Sequence, residues 1–211
     1  MTKLKTSIPW ILIVSRLISG LVFAYYSFFK NDYHTISLTI ITLFHVGFWG
    51  DILDGILARK WKVDSTLLRK SDSLADMFFW LGIALFLYYS YPTMRFTMGF
   101  GFLTIGIIVF LEYVLCLFKF QKTPSAHAIA GKFWGILLYL LFSLVLFGYS
   151  PTIFGIIVFT LGIFARLDSL LIYIILKKWT HDIPSFYHAI LINKNINFNK
   201  ISLFNSSEKP K

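Results

Sequence analysis

Charge is what this chain has least of. Only 14% of its 211 residues are Asp, Glu, Lys or Arg, where a soluble domain carries about 25%. In its place stand 57% hydrophobic and 19% aromatic residues, with a mean hydropathy of +0.71. Such a composition excludes an ordinary soluble fold and indicates a membrane protein. Cysteine is nearly absent. Cys116 stands alone, so no intramolecular disulfide forms, and its apolar run marks it as a small buried hydrophobe. A small-x-small cleavage site is missing after the first apolar run, and that run is too long for a signal-peptide core. The reading is therefore an uncleaved membrane segment. No internal repeat is visible, and the histidines show no metal-ligand spacing. The net charge of +10 does not indicate nucleic acid, because the basic residues cluster at the ends of apolar segments.

Six apolar segments are long enough to cross a bilayer at roughly 20 residues each. They span about 8–29, 35–57, 73–91, 96–118, 128–149 and 152–176. The expected fold is all-α: a polytopic membrane protein whose six transmembrane helices surround a polar cavity open to the cytoplasm. Lys30 and Arg95 alone fall in one set of loops, while most of the other Lys and Arg fall in the opposite set. Both termini are therefore expected in the cytoplasm, facing in from the plasma membrane if the source is bacterial. Trp10, Trp61, Trp134 and Trp179 are expected to form an aromatic belt on that side. Residues 1–179 read as one six-helix catalytic domain. Residues 180–211 read as a short interfacial helix followed by a polar, disordered tail.

The acidic residues are few but concentrated. Asp51, Asp54, Gly55 and Ala58 are spaced i, i+3, i+4, i+7 and share one helical face. Asp72 and Asp76 share another. A basic stretch from Lys60 to Lys70 joins the two segments, so they are expected as antiparallel neighbours with their acidic faces meeting. Four carboxylates in a medium of low dielectric repel one another. One divalent cation, or two, relieves this, and all-oxygen ligands suit Mg²⁺, Mn²⁺ or Ca²⁺. Gly55 and Ala58 leave space beside the carboxylates, and Arg59 stands where it can meet a phosphate. Arg16, Glu112, Arg166 and Asp168 lie at similar depth in other segments. Intramembrane charges pair or line wet cavities. Arg16 and Arg166 are thus expected either to neutralise Glu112 and Asp168 or to bind acceptor or phosphate. Lys132 is either a topology anchor or part of the site. Gly99, Gly101 and Gly106 suit close helix packing or dimerisation.

The order Asp51-x-x-Asp54-Gly55-x-x-Ala58-Arg59, then Asp72-x-x-x-Asp76, resembles the signature of the CDP-alcohol phosphotransferase (CDP-alcohol phosphatidyltransferase) family. The Ile8-Pro9 pair before Arg16 and the Gly131-Lys132 pair are similar too. The resemblance implies an enzyme of phospholipid biosynthesis that moves a substituted phosphoryl group from a CDP-linked donor to an alcohol and releases CMP. It implies Asp51, Asp54, Asp72 and Asp76 as ligands to Mg²⁺ or Mn²⁺, two ions, with Asp76 also the base. It implies Gly55, Ala58 and Arg59 at the nucleotide, and raises Lys132 and Arg166 as acceptor or phosphate ligands. The implied partners are CDP-diacylglycerol or another CDP-alcohol, an alcohol acceptor, membrane lipid and a second copy of the chain. Glycerol 3-phosphate, inositol phosphate and serine are family acceptors. One departure stands out: Leu68 occupies a position where the family has glycine, which bears on the shape of the cytidine pocket and leaves the aspartates intact. Two alternatives accompany this reading. One is transfer of a phospho-alcohol from its CDP form to diacylglycerol; the other is a cation transporter with an acidic intramembrane site.

Overall fold

The computed structural model describes residues 2–29, 38–61, 66–124, 128–180, 183–194 and 196, without the side chains of residues 2–6, 54, 55, 58, 59, 66, 69 and 70. It is helical throughout its described elements. In chain order these are α1 (Thr2–Phe29), α2 (Leu38–Trp61), α3 (Thr66–Ser90), α4 (Pro92–Phe120), α5 (Ile129–Leu146), α6 (Thr152–Ile175) and α7 (Phe186–Asn193). In hydrocarbon every backbone N–H and C=O needs an internal partner, and a helix supplies them all. Five helices, α1 and α3 to α6, are long and apolar enough to cross a membrane. In the second expected span, α2, the apolar part covers only Leu38–Leu53. Its aspartates interrupt the run. Helix α3 begins earlier than the hydropathy pattern suggests, at Thr66. The stretch expected as a polar connection is thus partly helix, anchored by the buried side chain of Leu68. Its residues 62–65, and the polar tail after residue 196, lie outside the described residues.

The chain divides into two compact units. One comprises Met1–Arg95 and Phe142–Ser150. Within it α1 packs along α3 and α2, while α2 and α3 touch only lightly. The antiparallel α2–α3 pair expected from sequence is therefore replaced by an arrangement in which α1 packs on both. Two glycines set the α1–α3 approach. A side chain on Gly82 would strike the carbonyl of Gly20, and one on Gly20 would strike the backbone of Phe78. Small residues permit this closeness between membrane helices. Above the contact, Phe23 meets Phe79 edge-on at 5.8 Å. Phe79 also stacks on Phe44 at 5.9 Å. Phe142 packs against Phe44 at 6.3 Å and Trp80 at 6.1 Å. Gly148, with φ of 87°, takes the left-handed conformation that ends α5.

The other unit comprises Phe96–Leu141 and Pro151–Lys211. Gly101 receives the ring of Phe159, and Gly162 receives the indole of Trp134, so Trp134 is buried rather than part of a surface belt. A side-chain carbon on Gly106 would meet nothing within 4 Å from other elements among the described residues. The last carbonyls of α6 are capped by side chains. Lys119 donates to Tyr173 O at 3.0 Å and to Ile174 O at 2.7 Å, and Asn193 Nδ2 donates to Ile175 O at 2.6 Å. Helix α7 docks there through Ala189, which with Ile183 just before the helix joins Cys116, Ala128, Ile172, Tyr173 and Leu176 in one apolar cluster.

The glycine contacts make a direct prediction. Gly82→Ala forces a methyl group into the α1 backbone and should destabilise the protein by about 1–3 kcal/mol. Gly106→Ala enters open space and should be neutral or slightly stabilising, within about 1 kcal/mol. Thermal melting in detergent separates them; equal melting temperatures would contradict the packing.

Candidate active site

Asp51, Asp72 and Asp76 of the first unit come together around a base that the sequence pattern did not pair with them. Arg16 lies on α1 one helical turn before Gly20, so the close α1–α3 contact carries it against α3. It is 1% exposed. Its Nη1 donates to Asp51 Oδ1 at 2.6 Å and also to Asp76 Oδ1. Its Nη2 lies 3.2 Å from Asp72 Oδ1. The three carboxylates, one from α2 and two from α3, each offer an oxygen within 4.8 Å of the others'. Beside them Ile13, Leu68 and Ala75 form a small apolar cluster, with Leu17 packed on it. Leu68, at the position of the family glycine, thus fills space between α1 and α3.

These residues fit a hard divalent cation. The donors are all carboxylate oxygens. Three aspartates carry more negative charge than one guanidinium balances. Asp54 lies one turn after Asp51 on α2, with Gly55, Ala58 and Arg59 following. The side chains of these four residues lie outside the described ones.

The second unit holds a separate polar cluster. Glu112 on α4 is buried and accepts a hydrogen bond from Ser169 Oγ on α6 at 2.8 Å. Arg166 lies near enough for its charge to act on Glu112, and its guanidinium stands over the Trp134 ring at 5.6 Å. Asp168 Oδ1 accepts the backbone N–H of Phe186 at 2.9 Å, tying α6 to the start of α7. Lys132 lies exposed on α5.

The family model for CDP-alcohol phosphatidyltransferase matches residues 6–180. The chain belongs to the CDP-alcohol phosphatidyltransferase family. No curated protein and no solved structure matches it. As a member, it is a transferase of substituted phosphate groups in phospholipid biosynthesis, working from a CDP-alcohol and an alcohol acceptor in the membrane. Family members generally use divalent metal ions, and Asp51, Asp72 and Asp76 form a group of carboxylates that could hold one. Membership displaces the transporter reading.

Of the aspartates singled out by spacing, Asp51, Asp72 and Asp76 meet as expected. Arg16 pairs with those three aspartates. The only sequence signal for this was its depth, which matches theirs. Ser169 was missed altogether, since a lone serine in an apolar helix carries no signal. It supplies the hydroxyl that satisfies Glu112. Ser169→Ala should lower stability by roughly 1–2 kcal/mol, whereas Ser169→Thr keeps the hydroxyl and should lose less. Melting curves of the two variants decide whether that bond is made.

Proposed function

We propose that the protein transfers a phosphatidyl group from CDP-diacylglycerol to an alcohol and releases CMP. The observation that carries this is the convergence of Asp51, Asp72 and Asp76 in a chain of this family. Asp51, Asp54, Asp72 and Asp76 would hold two ions, Mg²⁺ or Mn²⁺. When bound, such ions supply positive charge to the donor's diphosphate and to the departing CMP.

The chain's own residues do the rest. Asp76 takes the proton from the acceptor hydroxyl on a carboxylate oxygen as that hydroxyl attacks the donor's phosphorus. Gly55 and Ala58 have no bulk to obstruct the nucleotide, and Arg59 meets its phosphates with a planar, always charged fork. A phosphate-bearing acceptor needs cations of its own. Lys132 and Arg166 are the candidates for binding one such as glycerol 3-phosphate or inositol phosphate; serine, the other family acceptor, needs none. The donor's acyl chains stay in the bilayer while its head enters the acidic site, which accounts for a site built in membrane helices. The Lys and Arg distribution puts this site and both termini on the cytoplasmic side. The active form is read as a homodimer.

Purified protein given CDP-diacylglycerol, Mn²⁺ and pooled alcohols should release CMP and yield one new lipid, identified by mass. Chelation should abolish release. Asp76→Asn should lower kcat by about 10²–10⁴-fold. Absence of CMP from CDP-diacylglycerol and from every other CDP-alcohol tried would end this reading. Label carried from the donor's head rather than its acyl chains into product would instead show transfer of a phospho-alcohol to diacylglycerol.

A further inference from the structure

Arg16 stands inside the group of oxygens that a metal would need. One nitrogen, Nη1, serves Oδ1 of both Asp51 and Asp76, and Nη2 faces Oδ1 of Asp72. Mg²⁺ holds its oxygens at about 2.0–2.1 Å, which sets neighbouring ligands roughly 3 Å apart. Oxygens drawn in that far leave no room for a nitrogen between them. Charge points the same way. A guanidinium balances one of three carboxylates; a divalent ion balances two and prefers hard oxygen ligands. A positive charge within about 4–6 Å of a carboxylate changes its proton affinity by roughly 10- to 1000-fold, and a divalent ion is opposed by the same field. Guanidinium is also weakly hydrated, so moving it inside a buried site costs less than moving an ammonium.

We propose that Arg16 is a resident counter-ion: it holds Asp51, Asp72 and Asp76 together before the metal arrives, and releases them to the metal. It is a positioning residue that sets metal affinity, not a catalytic one. The inference rests on the reading that these aspartates bind a divalent ion.

The test uses the full chain in detergent without any lipid substrate. Mn²⁺ binding is followed by the electron paramagnetic resonance signal of free Mn²⁺, and melting is recorded with and without the ion. Arg16→Gln should bind Mn²⁺ on the order of tenfold more tightly than the unaltered protein. Its metal-free form should melt lower, so its Mn²⁺-induced rise should be the larger of the two. Arg16→Lys keeps the charge without the two-nitrogen bridge and should fall between. If the unaltered protein binds Mn²⁺ and both variants bind equally or more weakly, Arg16 is a permanent brace and the inference is wrong. If the unaltered protein binds no Mn²⁺, the metal reading itself falls. If Arg16→Gln folds only with metal, it should be prepared in Mn²⁺ and then chelated. Unfolding on chelation, where the unaltered protein stays folded, supports the inference; a variant that is unfolded in Mn²⁺ as well overturns it.

Discussion

A charge taken out of water must be met by an opposite charge or by hydrogen bonds, or it is very costly. The first unit is arranged around that requirement. Arg16 is almost wholly buried, and three aspartates from two other helices converge on it. No single helix could bring these groups together, because Arg16 and its partners are 35 and 60 positions apart in the chain. The packing that does so is apolar and close. Gly20 and Gly82 let the backbones of α1 and α3 approach, and Phe23, Phe44 and Phe79 fill the space further along. Small residues near the charges and large rings beyond them serve one end: fixing α1 so that Arg16 reaches all three acids.

The sequence discloses elements better than neighbours, and the reason is physical. Hydropathy is a sum over one segment, so the long apolar runs of α1, α4 and α6 stand out without any knowledge of the fold. Where polar residues enter a segment the sum falls and the boundary blurs. This is what happens at Asp51 and Asp54 in α2 and before Asp72 in α3. The stretch from Thr66 to Lys70 reads as a loop because Arg69 and Lys70 mask the one apolar anchor, Leu68. The aspartates themselves are legible, because their i, i+3 and i, i+4 spacings are local. The Arg16 pairing is not, because it depends on which helix lies against which. Trp134 fails for the same reason. An aromatic near a segment end looks like an interfacial anchor until Gly162, 28 positions on, turns out to leave a slot for it.

Leu68 shows how a change in a signature can be absorbed. A glycine leaves space; a leucine must fill it or find some. Here Leu68 packs on Ile13 and Ala75, residues that lie near Arg16 on α1 and between the aspartates on α3. The added side chain therefore ties the N-terminal halves of α1 and α3 together just beside the acidic cluster. The lost freedom of a glycine backbone matters little inside a helix, where glycine is the weaker former by about 1 kcal/mol. The gain lies in apolar contact beside the charges, which excludes water and strengthens the attraction between Arg16 and its acids.

The two polar clusters of this chain meet the same demand with opposite balances. In the second unit a single buried carboxylate, Glu112, has a hydroxyl donor in Ser169 and the charge of Arg166 acting on it. Its charge is matched within its own unit, and no added ion is required for that group to be stable there. In the first unit one guanidinium faces three carboxylates. Buried carboxylates in excess of their counter-charges take up protons or bind a cation. The composition makes the contrast sharper. A chain that carries only ten acidic residues places three of them on one buried arginine.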